Sequence, residues 1–534
     1  MYGLREFLAS MKKLILFVLL AALGGLAFLF VGDDKSEADK SAVKNSSFSQ
    51  PQKGLIIVTP WEITATDPSK SGYIFQRLQL AETLVETDGQ GRLQPALAES
   101  WQANDKADEW TFKLRPAVKF HDGSSLKAEN VVQSLQAALD KPTPLKNTLI
   151  KTISAQGDDT VHITLAKPLA AFPAYLAHYS TMILAKSAFD AQNNVQQIVA
   201  TGPYRVVKIE PPQKIEQVAF ADYWGENAKI RQVTYLANSR SETRTLLAQS
   251  EPNALVFNLD PASVSRLQQD PNLQLQFKSI ARTIQFKVNA ANPLFADAAV
   301  RRALSDAIDR QGIAQSVLRI DNGAAQQLFP PAFADWRLPL DAERPDYAAI
   351  KARLTALGYQ TDEQGMLVKD GKPFKFTLRT FSNRPELPVI ATALQNQWRQ
   401  IGIDVAVSVG NFSDIPAGHQ DGSLEMGLYA RNYALVPDPI GALLQDFAPQ
   451  GGDWGVMNWQ DERLNQALAQ LEKRVDAQEQ RQLKQQIAEI IYQQRPITPV
   501  VYYQQNAAAH TALQGLEIDP FERSFGLNKL SWQE

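Results

Sequence analysis

Residues 374–409 constrain the fold of this chain more than any other stretch. In FKFTLRT (374–380), Phe374, Phe376 and Leu378 alternate with polar neighbours, which predicts a half-buried strand. A helix is predicted over 386–401, with Ile390, Leu394, Trp398 and Ile401 on one side and Gly402 as its C-terminal stop. Ile403, Val405, Val407 and Val409 then alternate again as a second strand. Strand, helix and strand in that order make a βαβ unit, and so a parallel sheet with helices packed on it. At 534 residues the chain is too long for one ordinary core and predicts two or three domains.

The rest of the body repeats this style without repeating the sequence. LIIVTP (55–60) reads as a buried first strand, WTFKLRP (110–116) as an alternating one, and TGPYRVVKI (201–209) with KIEQVAF (214–220) as two strands joined across Pro211-Pro212. Helices are predicted over 126–140 (Val131, Leu135, Ala138/Leu139), over 296–310 with Asp297 as its cap, and as a pair within 461–494. The body is mixed α/β in at least two lobes.

Upstream, residues 14–31 (LILFVLLAALGGLAFLFV) are apolar or glycine without interruption and would span about 27 Å as a helix. Arg5, Lys12 and Lys13 precede the run, so residues 1–13 are expected in the cytoplasm and everything after Val31 outside. The reading preferred is an uncleaved inner-membrane anchor; the alternative is a signal peptide cut near Gly25-Leu26-Ala27. Residues 32–53 are polar, lack core periodicity and read as a flexible linker. There is no cysteine, which excludes disulfides, cysteine-ligated metals, thiol catalysis and lipid attachment, and an exported chain of that kind suits a bacterial periplasm.

The chemistry that the sequence lacks narrows the function further. With 54 basic and 57 acidic residues and no basic tract, nucleic-acid binding is not expected. The five histidines (121, 162, 178, 419, 510) are too scattered for a local metal motif, and neither GxSxG nor a phosphate loop occurs. No catalytic residue, metal ligand or cofactor is therefore assigned. A periplasmic hydrolase remains as the rival from another class, without a nucleophile to name.

LQPALAESWQANDKADEWTFKLRPAVKFHDGSSLKAENVVQSL (93–135), TGPYRVV (201–207), DYWGENAKI (222–230), VRRALSDAIDR (300–310), LTALGY (354–359) and QIGIDV (400–405) together resemble the family 5 extracellular solute-binding proteins, the receptors of peptide and nickel ABC importers. The resemblance runs in order over essentially all of 54–534. It implies an α/β, periplasmic binding protein type II-like, two-lobed clamshell with an inserted subdomain in lobe one. Its implied parts are 54–90 and 200–284 of lobe one, the insert 91–199, lobe two 285–503, and a C-terminal return to lobe one over 504–534. The two interlobe crossings fall near 283–290 and 500–505. In that setting His121-Asp122-Gly123 is a turn.

The same resemblance implies a function: a monomer that captures a small solute, a peptide or an organic metal chelate, and delivers it to a permease powered by ATPase subunits. A membrane-tethered sensor or scavenger without a permease is the rival among binding proteins. Within LYARNYALVPDP (428–439), Arg431, Asn432 and Tyr433 stand on a proline-broken stretch that faces the cleft in the family. Arg431 can fork onto a carboxylate, Asn432 both donates and accepts, and Tyr433 offers a ring and a hydroxyl. The alternative is an internal salt bridge for Arg431 and a core position for Tyr433. Peptide-binding members carry an Asp shortly before the Asp-Pro pair, where this chain has Ala434–Pro437; nickel-type members carry a His near the position of Gly451, where this chain has GGDWG. Trp454 in that segment could close over a ligand, and Tyr73, His178, Tyr179 and Arg384 sit on segments that border the cleft.

Overall fold

The computed structural model describes residues 54–141, 143–341, 344–382, 384, 386–447, 452–474 and 476–533. The expected cytoplasmic start, apolar anchor (14–31) and linker (32–53) lie outside the described residues, and among the described residues no helix is long and apolar enough to cross a membrane.

The βαβ unit forms as its periodicity requires. Lys375–Phe381 and Asp404–Gly410 pair in parallel, with the helix Glu386–Gln400 between them in sequence. Ile390, Leu394 and Trp398 of that helix are fully buried, and the Trp398 indole donates to the Leu304 carbonyl at 2.9 Å. Gly402 ends the unit at φ +82°, where a Cβ would lie 2.8 Å from the Gly365 carbonyl, so glycine is required there twice over.

These two strands belong to one ten-stranded mixed sheet. In chain order its strands are β1 (Leu55–Thr59), β2 (Tyr204–Glu210), β3 (Lys214–Ala219), β4 (Gln232–Ala237), β5 (Ala254–Phe257), β6 (Leu273–Val288), β7 (Lys375–Phe381), β8 (Asp404–Gly410), β9 (Met426–Asn432) and β10 (Ile497–His510). Their order across the sheet is β8-β7-β9-β6-β10-β5-β1-β4-β3-β2. The long antiparallel pair β6 and β10 runs through the middle and touches both halves: Leu255–Phe257 of β5 pair with Ala507–Ala509, and Arg282–Val288 pair with β9. The β6–β10 ladder breaks between Ser279 and Thr283, opposite Gln504 and Tyr502. From Thr283 to Val288 every position of β6 is buried, because that half of the strand is covered on both faces.

Each half of the sheet carries its own core. Leu55, Phe75, Tyr204, Tyr235 and Leu527 pack around β1–β5. Phe286, Phe376, Leu428 and Trp398 pack around β6–β9. A separate four-stranded sheet (Ala98–Ala103, Glu109–Leu114, Thr160–Leu165, Ile150–Gln156) packs Phe112 against Val131 and Leu135 of the helix Ala128–Leu139. A further core gathers Trp336, Tyr433, Leu464, Leu468 and Ile487, the last three from the helices Glu462–Leu471 and Ala477–Gln494. At roughly 1.5–3 kcal/mol per fully buried large apolar side chain, these cores rather than local propensity hold the elements in place.

Candidate functional site

The stretch around Arg431 is put to internal use. Arg431 and Asn432 end β9, and Arg431 faces Thr283 of β6 in the ladder. Its guanidinium forks onto Asp446 of the helix Ile440–Asp446, Nε to Oδ2 at 2.8 Å and Nη2 to Oδ1 at 2.6 Å, and also donates to Gln445 Oε1 at 3.1 Å. The Asp446 side chain is 0% exposed. Burial pushes its carboxyl above the ordinary range, and the Arg431 charge opposes that rise. Tyr433 is likewise 0% exposed, its hydroxyl donating to Gln285 Oε1 at 2.8 Å and its ring 5.6 Å from that of Phe329. Asn432 Oδ1 accepts from the Ala434 N–H at 2.7 Å and shapes the turn.

In this structure Arg431 makes an internal salt bridge and Tyr433 takes a core position, the alternative considered for them from the sequence. A buried guanidinium takes the nearest buried carboxylate, and Asp446, at the end of the next helix along the chain, supplies it.

Trp454 is half-buried in an aromatic group with Phe381, Tyr429 and Phe412, the last with its ring 4.6 Å away. The Tyr429 hydroxyl donates to the Trp454 carbonyl at 2.6 Å, and the buried Lys287 ammonium donates to the Asp453 carbonyl and to His419 Nδ1. Burial pushes that Lys287 amine down to about 7.

The other expected residues meet elsewhere, where both halves of the sheet converge. The helix Pro68–Arg77 begins at an Asp67 cap and places Tyr73 and Arg77, four apart, on one face. Tyr179 stacks edge-on to Tyr73 with ring centroids 6.0 Å apart. Gly72 permits that approach, since a Cβ there would lie 2.9 Å from the Tyr179 ring. The Arg77 guanidinium lies 4.2 Å from the Trp61 ring centroid and 5.6 Å from that of Tyr73. Trp61 follows β1, a strand with parallel neighbours on both sides, in keeping with ligand binding beyond the carboxyl ends of such strands.

Between the two halves, Arg282 sits in the break of the β6–β10 ladder, and Tyr503 sits in the opposing break. Arg282 and Arg384 lie 5.5 Å and 5.6 Å from the Tyr503 ring centroid. One carboxylate links the two arginines: Glu522 Oε1 is 3.3 Å from Arg77 Nη2 and Oε2 is 3.0 Å from Arg282 Nη2. Arg384 stands 3.9 Å from Glu386. Arg77 Nη1 is buried with no hydrogen-bond partner among the described residues. Burial disfavours the Arg77 charge, Glu522 supports it and Arg282 opposes it. Arg77, Gln505, Asp519 and Glu522 line a small cavity with room for a single water at most.

Tyr73, Tyr179 and Arg384 were expected from the sequence. Trp61, Arg77, Arg282, Tyr503 and Glu522 were not. An arginine inside the apolar run SIARTIQFKV (279–288) was the one available signal for Arg282. His178 packs its ring against that of Tyr179, centroids 3.9 Å apart, and is 3% exposed, with Nδ1 accepting from the Ser180 N–H at 3.2 Å and 2.8 Å from Ser180 Oγ. It is a packing residue in this structure.

Burial, with help from Arg523, pushes the His178 imidazole down to about 3, and burial with help from Arg205 pushes His121 down to about 4. An unfolded imidazole titrates near 6.5, so below that pH the unfolded chain binds protons that the folded chain refuses. Stability conferred by the two neutral rings is therefore full above pH 6.5 and is lost as pH falls toward 4. Denaturant titrations across that range are expected to show the fall, with a shallower slope in His178→Asn; a flat profile would refute it.

The model for bacterial extracellular solute-binding proteins, family 5 Middle, matches residues 92–454. A nickel-binding protein of Staphylococcus aureus is 28% identical over 83% of this chain and 87% of its own length. An oligopeptide-binding protein of Bacillus subtilis is 25% identical over 96% and 98%. A solved nickel ABC transporter structure from Bacillus halodurans superposes with TM-score 0.80 at 26% identity, covering 90% of this chain and all of that one. Both halves of the large sheet, the separate four-stranded sheet and the two long shared strands are the two-lobed, type II periplasmic binding protein architecture of these relatives. On the match across most of its length, this chain belongs to family 5 of the bacterial extracellular solute-binding proteins.

Proposed function

We propose that this chain is the substrate-binding component of an ABC importer and that it captures a peptide or peptide-like solute outside the cytoplasmic membrane. The observation that carries the reading is the charge at the convergence of the two halves: Arg77 and Arg282 share one bridging carboxylate, Arg384 stands by the same Tyr503 ring as Arg282, and Arg77 Nη1 has no partner among the described residues. Such an excess of forked donors favours a solute carboxylate. Trp61, Tyr73, Tyr179 and Tyr503 offer ring faces for its apolar parts.

In this reading lobe one comprises 54–90, the insert 91–199, 200–284 and the returning 504–534, and lobe two comprises 285–503. The lobes open about the ladder breaks at Ser279–Thr283 and Tyr502–Gln504. A solute touching both lobes favours the closed form, and a shift from 1:99 to 99:1 takes a differential of roughly 5.5 kcal/mol. The closed form then docks on a permease with its ATPase subunits. Residues 14–31 tether the body to the inner membrane, and 32–53 give it reach.

A metal–organic chelate is the second reading, favoured by the nickel-binding relative and by the same carboxylate chemistry. Calorimetric titration of the full-length chain separates the two. A mixture of tripeptides with free carboxylates is expected to bind with micromolar or tighter affinity and at least tenfold better than the same peptides as C-terminal amides. Binding of nickel(II) citrate with no binding of either peptide set would replace the peptide reading by the chelate reading.

A further inference from the structure

Glu522 occupies the place at which the proposed solute would be held, and its own surroundings are built to keep it there. The segment 519–525 is wound about Asp519, whose carboxylate accepts from the N–H groups of Phe521, Arg523 and Ser524 at 2.9, 2.8 and 3.0 Å. Within that turn Glu522 adopts φ +57°, a left-handed conformation that side-chain-bearing residues adopt at a cost of about 1 kcal/mol or more. The backbone is pinned on both sides: Arg77 Nε donates to the Glu522 carbonyl at 2.6 Å, the Phe525 N–H donates to the Arg77 carbonyl at 2.9 Å, and the Ala281 N–H donates to the Pro520 carbonyl at 2.8 Å. Phe521 packs edge-on to Phe333 at 5.3 Å, and Arg523 pairs with Glu86 at 2.9 Å. The Glu522 side chain, 6% exposed, thus reaches Arg77 and Arg282 from a strained but over-determined backbone.

Resting on the reading of this group as the solute site, we infer that Glu522 is an internal carboxylate that a solute carboxylate must displace from Arg77 and Arg282, so that the chain selects solutes able to outcompete its own side chain. The alternative role, a partner for a solute ammonium, is disfavoured by position: a cation reaching Glu522 would have to lie against two guanidiniums. The cost of displacement sets a threshold, because a solute that merely fills the cleft leaves the Arg77–Glu522–Arg282 bridge in place. A solute bearing a well-placed carboxylate exchanges one charge-assisted pair for another, and its aromatic contacts come in addition.

The test titrates the full-length chain and its Glu522→Gln and Glu522→Asp variants with three probes: free-acid tripeptides, their C-terminal amides, and nickel(II) citrate. Glutamine keeps the shape and removes the charge. Aspartate keeps the charge but is one methylene too short to reach both arginines, and it covers the case in which the glutamine variant does not fold. The expected result is a roughly tenfold gain in affinity for carboxylate probes in both variants, with no gain for the amides. A gain confined to the free-acid peptides identifies a peptide terminus as the displacing group; one confined to nickel citrate identifies a chelate carboxylate. Unchanged affinities, an equal gain for acids and amides, or a fall in affinity that assigns Glu522 to a solute ammonium would each overturn the inference. Unchanged affinities in the Glu522 variants, with binding lost in Arg77→Ala, would overturn it while leaving the site in place. Absence of binding by every probe to every form would overturn both.

Discussion

Arg77→Ala is expected to lower solute affinity roughly 100-fold, about 2.7 kcal/mol, toward the lower end of the range of about 2–5 kcal/mol for truncating one partner of a buried charge-assisted contact. Arg77 presents a buried guanidinium with an unpartnered Nη1, flanked by Trp61 and Tyr73 and facing Arg282 across the Glu522 carboxylate. Arg77→Lys keeps the charge but loses the planar fork, the Nε contact to the Glu522 carbonyl and most of the stacking on Trp61, and is expected to fall between wild type and alanine. The residue ends its helix, so the helix itself survives the change. Calorimetry with the best-bound probe reads the loss; affinity within threefold of wild type would remove Arg77 from the site.

Arg431→Ala is expected to do the opposite: little to affinity and much to stability. Its partner Asp446 is 0% exposed, and removing Arg431 strands a carboxylate beside Tyr429 and Tyr433 with only Lys287 as a nearby opposite charge among the described residues. Breaking a buried pair from one side costs about 3–5 kcal/mol. The sign with pH follows from the raised carboxyl of Asp446. Without Arg431 that carboxyl rises further, so the penalty is largest at neutral pH, shrinks as pH falls through the raised folded value, and is gone below the unfolded value near 3.9, where both states are protonated. Denaturant midpoints of the two forms at pH 7 and at pH 4 measure this; a variant as stable as wild type at pH 7 would contradict the burial of the pair.

The contrast between these two arginines also marks where sequence reasoning reached and where it stopped. The βαβ unit at 375–410, the Asp297 cap of the helix Ala298–Asp306 and the paired helices at 462–494 were legible because periodicity and capping act over a few residues. Arg431 was legible as a fixed charge on a proline-broken segment, but its partner was not: Asp446 becomes its neighbour only once the helix Ile440–Asp446 folds back. The convergence site is harder still. Trp61, Arg77, Tyr179, Arg282, Arg384, Tyr503 and Glu522 come from segments spread over the length of the described chain, and the order β9-β6-β10-β5-β1 brings them together. Nothing local distinguishes Glu522 from any other exposed-looking glutamate.

The measurement that tests the placement of the solute most directly is native mass spectrometry of the full-length chain, purified from its own cells without refolding, as wild type, Arg77→Ala and Arg431→Ala. A bound mass retained by Arg431→Ala and lost from Arg77→Ala is the expected result. Loss from Arg431→Ala with retention by Arg77→Ala would contradict it, and would return the binding site to the segment 428–439.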